Sequence, residues 1–222
     1  MKTLIVYATK HGCTEKCAEE LSGLLEGEVN LCNLKKEPFV DISQYDVVII
    51  GGSIYAGRIQ NEVRNFCEDK MNFLDNKRIG LFICCMFEGE KAETQILSSF
   101  PKELLEKAIS KQCFGGEFNL SGMNFFEKII VRMVTKTGNE SKNKDIKDMP
   151  SKIISKNIRL MAETMNKAWH REELYYKYYK SYFIQNAYGN IKCSYTVVIN
   201  AIYEAVLMFK KAYNQYIVVS SW

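Results

Sequence analysis

Residues 3–14 read TLIVYATKHGCT. Thr3–Ala8 is an unbroken run of strand length, and the chain turns polar and helical directly after it. Helical spacing from Thr14 to Leu25 places Cys17, Ala18, Leu21, Leu24 and Leu25 on one face. Between the two patterns stands Thr9-Lys10-His11-Gly12-Cys13-Thr14. A loop there can turn successive backbone N–H groups into one concavity at a helix N-terminus. Hydrogen bonds and the positive end of the helix dipole then hold a phosphate. Thr9 and Thr14 offer hydroxyls, Gly12 a close backbone approach and Lys10 a full charge. A capped turn with no ligand is the alternative for the hexapeptide taken alone.

The same alternation continues outward. Val29–Leu34 is a weaker strand, Val47–Gly51 (VVIIG) a second fully apolar run and Ile79–Cys85 (IGLFICC) a third. Helices are expected near Asn61–Lys70 and over Lys102–Ile109, and a fifth strand over Cys113–Asn119. Continuous apolar strands separated by amphipathic helices mean an α/β fold with a five-stranded parallel sheet buried on both faces. The loop excludes two common relatives of that architecture: neither GxxxxGK[ST] nor GxGxxG is present. No acidic cluster follows the first strand, which excludes a phospho-accepting receiver.

Two further loops lie at strand ends. Gly51-Gly52-Ser53-Ile54-Tyr55-Ala56-Gly57 follows the second apolar run. Its glycines would let a flat ligand lie on backbone, with Tyr55 against the ring and Ser53 bonding a hydroxylated chain. Cys84-Cys85-Met86-Phe87-Glu88-Gly89 ends the third. A strand order of 2-1-3-4-5 brings all three loops to one carboxyl edge, where open α/β sheets bind ligands. Adjacent cysteines rarely join in a disulfide, so a buried apolar role is expected for at least one of Cys84 and Cys85.

The remainder is less regular. Residues 125–136 put Phe126, Ile129, Ile130, Met133 and Val134 on one side of an expected helix, beside Lys128, Arg132 and Lys136. Residues 138–150 read as a loop. Ser151 would cap a last helix over Lys152–Trp169 that returns to the sheet. Residues 170–222 hold ten of the 13 tyrosines and no aspartate, and helices are expected over 171–184 and 195–214 with a turn near Gly189–Asn190. The net charge of +4 divides into −4 for residues 1–100 and +8 for 101–222. Eight cysteines without a CxxC pair read as free thiols in a reducing compartment, and no zinc site or nucleic-acid partner is expected. No run approaches the ~18 apolar residues of a membrane span.

Together these blocks resemble the flavodoxin family, the phosphate loop matching its T-x-T-G-x-T pattern with His11 at a position often hydroxylated. MKTLIVYATKHGCT, IIGGSIYAG and FFEKIIVRMVTKTGNES are most similar to the menaquinone-dependent protoporphyrinogen dehydrogenases and their flavodoxin-domain relatives. The resemblance covers about residues 1–168. It implies a flavodoxin-like three-layer fold over 1–169; 170–222 is expected, from its own pattern, to be a mostly helical extension. It also implies flavin mononucleotide (FMN) held by Thr9, Lys10, His11, Gly12, Cys13, Thr14, Ser53, Ile54, Tyr55, Ala56, Gly57, Cys84, Cys85, Met86 and Phe87. Residues 121–125 (SGMNF) depart from the Arg- and Tyr-rich character of the porphyrinogen enzymes, and the Tyr-rich tail has no family counterpart.

Three functions stay open on these grounds. One is an FMN-dependent oxidoreductase passing electrons from a porphyrinogen to a quinone. The second is an electron carrier serving a small redox protein. The third, a flavin-dependent NAD(P)H:quinone reductase, lacks a nicotinamide motif. The expected location is cytoplasmic. The 125–136 stretch either docks at the inner face of the cell membrane or packs on the sheet with its basic residues in solvent.

Overall fold

In a computed structural model of the chain, the described residues are 1–55, 57–117 and 152–187. Their elements run β1 (Lys2–Ala8), α1 (Cys13–Ser22), β2 (Glu28–Asn33), β3 (Val47–Tyr55), β4 (Arg58–Ile59), α2 (Asn61–Leu74), β5 (Arg78–Cys84), α3 (Glu90–Leu97), α4 (Lys102–Lys107), β6 (Ser110–Cys113), β7 (Gly115–Gly116), β8 (Lys152–Ile153) and α5 (Ser155–Ala187). The main sheet has the order β2-β1-β3-β5-β6, all parallel. Numbering those five strands in turn gives 2-1-3-4-5, the order expected. The fold is a flavodoxin-like α/β sandwich of three layers.

Alternation along each strand feeds two cores. From β1, Leu4, Val6 and Ala8 face one side with Val63, Phe66, Ile96 and Leu104 of the helices α2, α3 and α4. Ile5 and Tyr7 face the other side with Cys17, Ala18 and Leu21 of α1 and Ile158, Met161, Ala162 and Met165 of α5. Those last four residues stand at i, i+3, i+4 and i+7, the spacing of one helix face. Burying each of the larger ones contributes about 2 kcal/mol. Asn166 adds a polar latch, accepting from the Glu26 N–H and donating to the Leu24 carbonyl at 3.1 Å each.

Several boundaries differ from expectation. β3 does not stop at Gly51; its ladder continues through Gly51–Phe82, Gly52–Ile83 and Ser53–Cys84 and then folds back as a hairpin with β4. The two glycines are strand residues, bare because neighbours fill the space above them. A Cβ on Gly51 would sit 2.1 Å from the Phe82 ring, and one on Gly52 3.0 Å from Ile59 and Val63. The expectation that a ligand lies on these glycines is therefore corrected: side chains of the core already lie there.

The fifth parallel strand is Ser110–Cys113, not Cys113–Asn119. It is an edge strand with one neighbour, so polar Ser110, Lys111 and Gln112 can belong to it and hide its hydrophobic signature. Gly115, at φ +74°, turns the chain out of the ladder, and Gly115–Gly116 pair antiparallel with Lys152–Ile153. α4 ends at Lys107 because Ala108 is extended and the Ile109 N–H bonds to the Ile79 carbonyl. α3 was not anticipated at all. α5 begins at Ser155 rather than Lys152 and continues to Ala187, without the break expected near residue 170. The 125–136 helix, the 138–150 loop, the Ser151 cap, the Gly189–Asn190 turn and the 195–214 helix lie outside the described residues.

The chain divides into two units, Met1–His170 and Arg171–Trp222. No described helix is long and apolar enough to cross a membrane.

Phe82 is fully buried and stacks on Phe114 with ring centroids 4.6 Å apart, so it cannot swing aside for a new methyl. Gly51→Ala should therefore cost about 3 kcal/mol, the upper range for overpacking. Urea unfolding should show a lowered midpoint; an unchanged midpoint would mean that the Phe82 ring yields freely.

Candidate functional site

β1, β3 and β5 are adjacent and parallel, so the chain leaves all three at one edge of the sheet. β1 lies between β2 and β3, where the strand order reverses, and the first loop emerges at that point.

The first loop is held in shape by its own residues. Gly12 adopts φ +86° and caps α1 without any side-chain cap bond. Its N–H donates to Thr9 Oγ1 at 3.0 Å, and its carbonyl accepts from the Lys16 N–H at 3.1 Å. Thr9 thus shapes the loop by accepting this bond, and its own O–H stays available to donate. The first-turn N–H groups of α1 have no partners within the helix. Thr14, in that turn, is fully buried and its Oγ1 has no hydrogen-bond partner among the described residues. An unpaired buried hydroxyl costs about 1–3 kcal/mol, a debt that an arriving anion would cancel. A Cβ on Gly12 would meet nothing within 4 Å, so the space before the loop is open. Left-handed glycine, exposed helix terminus and orphaned hydroxyl fit a terminal phosphate.

Contacts join the three loops. The Lys10 ammonium lies 4.0 Å from the centroid of the Tyr55 ring, a cation–π contact between the first loop and the second. In this arrangement the Lys10 charge lies over an aromatic face. Gln95 of α3 donates to the Gly57 carbonyl at 3.1 Å and steadies the second loop from the other side. Gly57 has φ +77°, which the tight β3–β4 turn requires. Ser53, Ile54 and Tyr55 are half-buried, and Ala56 lies outside the described residues. His11 is half-buried beside Gly12.

In the third loop, Cys84 and Cys85 are both buried but on opposite faces of the sheet. Met86 is half-buried and Phe87 is 40% exposed. Cys84 reaches back to the first loop: its sulfur and those of Cys13 and Cys17 all lie within 4.8 Å of one another. Hydrogen bonds from Cys17 and then Cys84 push the Cys13 thiol far down, while both donors are pushed up. Among the described residues no fourth His, Cys, Asp or Glu joins the three, whereas structural zinc takes four ligands. The cluster was hinted at only by the i, i+4 spacing of Cys13 and Cys17.

Two acidic groups were missed. Glu117 bonds Lys16 of α1 at 2.6 Å. Glu15 accepts from the Tyr7 hydroxyl at 3.0 Å and lies 3.5 Å from Lys36. Burial first, and Glu15 second, raise the Tyr7 pKa well above its ordinary value, so the hydroxyl stays protonated.

With this geometry in view, comparison with known proteins is informative. A flavodoxin domain profile matches residues 4–145, well over half of the chain. The chain belongs to the flavodoxin domain family. Among solved structures this flavodoxin domain is similar to flavodoxin 1 from Bacillus cereus, at 18% identity over 74% of this chain and 97% of that one, TM-score 0.44. A Fusobacterium nucleatum flavodoxin bound to flavin mononucleotide is 13% identical over 78% and 98%, TM-score 0.39. Rubredoxin oxygen:oxidoreductase from Desulfovibrio gigas is 17% identical over 75% of this chain, which spans 35% of its length, TM-score 0.42. No match to a curated protein was found.

The loop makes a separable prediction. Gly12→Ala has room for its methyl but not the backbone for it, and left-handed φ costs an L-residue about 1–2 kcal/mol. Thr9→Ala should cost about 1 kcal/mol through the lost bond to the Gly12 N–H. Because the two share one loop, their effects on thermal unfolding should add to less than the sum. Full additivity would show that Thr9 does not shape the Gly12 turn.

Proposed function

We propose that this flavodoxin domain binds FMN and works as an oxidoreductase through it. The observation that carries the reading is the buried, unpartnered Thr14 hydroxyl in the first turn of α1, behind a left-handed Gly12. Thr14 and the first-turn amides would hold the phosphate, and Tyr55 with residues 84–87 would hold the ring. The flavin, when bound, supplies the electron transfer; the chain supplies orientation, electrostatics and exclusion of water. Lys10 sets a positive charge beside Tyr55, which favours the electron-rich form of a neighbouring ring.

The physiological reaction we favour is quinone-linked oxidation of a porphyrinogen, supported by the family likeness of the opening block, IIGGSIYAG and the 125–141 stretch. The quinone would be met at the cytoplasmic face of the membrane. Lys128, Arg132 and Lys136 could each contribute about 1 kcal/mol of attraction to an anionic surface. A carrier that serves a small redox protein is the second reading.

Purified full-length protein should take up one FMN per chain and no FAD. Thr14→Ala should weaken FMN binding roughly tenfold, the equivalent of about 1.4 kcal/mol. Protein that stays colourless in excess FMN would end the reading.

Tyr55→Ala should weaken binding while leaving the phosphate contacts, and Lys10→Glu should lower the flavin's reduction potential with binding retained. Spectroelectrochemical titration reads both; identical potentials in wild type and Lys10→Glu would remove Lys10 from the ring site. Anaerobic reoxidation separates the two functions. Rapid turnover with protoporphyrinogen and menaquinone in anionic vesicles supports the enzyme, and transfer only to redox proteins supports the carrier.

A further inference from the structure

Cys85 follows the last residue of β5, and Cys113 is the last residue of β6. The register sets Ile83 opposite Cys113, and both thiols join the core on the α2–α4 side of the sheet. Their sulfurs lie 3.3 Å apart, so roughly 1 Å of closure would bring them to bonding distance. The two thiols differ in access. Cys85 is 5% exposed, whereas Cys113 is half-buried and lines a cavity of about 380 Å³. Phe87, Ala92 and Ile154 form its apolar wall, and Asn157 and Glu88 supply polar groups. Asn157 also donates to the Cys113 carbonyl at 2.7 Å, which fixes the strand end beneath the cavity.

The proton is shared unequally. The two sulfurs share a hydrogen bond that either can donate. That bond and the Gly115 backbone, against burial and the Glu88 charge, lower the Cys113 pKa to about 7; the same bond and burial push that of Cys85 up. An accessible, partly ionised sulfur therefore stands next to a shielded, protonated one. That is the division of labour between an attacking and a resolving thiol.

We infer that Cys113 and Cys85 form a thiol–disulfide exchange site for a low-molecular-weight disulfide seated in this cavity. The Cys113 thiolate attacks one sulfur of the disulfide R–S–S–R. A Cys113–S bond forms, the S–S bond breaks, and RS⁻ leaves with the electron pair. That thiolate takes the proton of Cys85, whose sulfur then attacks Cys113 Sγ. The Cys85–Cys113 bond forms and the second RS⁻ leaves, to be protonated by water. Two protein thiols are oxidised and one disulfide is reduced to two thiols. The reaction draws on no flavin, although Phe87 borders both this cavity and the ring site proposed above. Cys84 is the natural control: adjacent in sequence, it faces the opposite side of the sheet with Cys13 and Cys17.

The test uses full-length reduced protein equilibrated without oxygen in glutathione buffers of rising oxidised fraction, then acid-quenched, alkylated and digested with trypsin. Mass spectrometry should find the peptide of residues 79–91 linked to that of residues 112–128. Fragmentation should place the link at Cys85, and a glutathione adduct on Cys113 should precede it. Cys85→Ser should trap that adduct, Cys113→Ser should slow glutathione capture by Cys85 at least tenfold, and Cys84→Ser should change neither. Both thiols remaining free in excess oxidised glutathione would overturn the inference. So would an adduct appearing first on Cys85, or a link through Cys84. The order of adduct and link is read in wild-type protein, so the inference stays testable if a serine variant fails to fold.

Discussion

The ring of Phe82 lies on the bare backbone of Gly51, and the edge that carries the site depends on that fit. It locks β5 to β3 in one register and lets β3 continue past the two glycines to Tyr55. Its other side receives Phe114, which anchors the chain as it leaves β6. A side chain at position 51 would push the two strands apart and misplace the second and third loops together. Interiors packed to crystal-like density pass such a displacement on rather than absorbing it. The position of Tyr55 relative to the first loop thus depends on a contact between β3 and β5 four residues before it.

The loop between β1 and α1 is organised by subtraction. Thr9 takes the Gly12 N–H, Gly12 accepts the strained φ, and the helix starts without a side-chain cap. What remains is a helix terminus with no side-chain cap among the described residues. Ser or Asp, the usual cap residues, work from extended backbone, so the left-handed φ at position 12 favours glycine over a side-chain cap.

The elements that could be read from the residues alone are those whose burial is symmetric. TLIVYA, VVII and IGLFICC are apolar on both faces because helices cover both, so their strands and parallel pairing follow from composition. TKHGCT was legible as the turn from β1 into α1, since the apolar run ends before it and helical spacing starts after it. The edge strand Ser110–Cys113 was not legible, since one open side admits Lys111 and Gln112. Helix α3 was hidden in GEKAETQIL, where only Ala92 and Ile96 face the core. Gly51 and Gly52 were misread because a glycine that receives a neighbour's ring looks, in one dimension, like one that makes a turn. The cluster of Cys13, Cys17 and Cys84 depends on α1 meeting the end of β5, and spacing along the chain cannot report that.

A tyrosine ring at the tip of a loop is adhesive, and in a crowded solution it would recruit other chains. Here the Lys10 ammonium rests on that ring, so an approaching protein meets a hydrated charge instead of a flat apolar face. The same contact makes the face recoverable. A lysine stem swings away on the timescale of a rotamer change, far faster than any backbone rearrangement. Colloidal protection and quick access to the ring therefore come from one flexible side chain rather than from a folded lid.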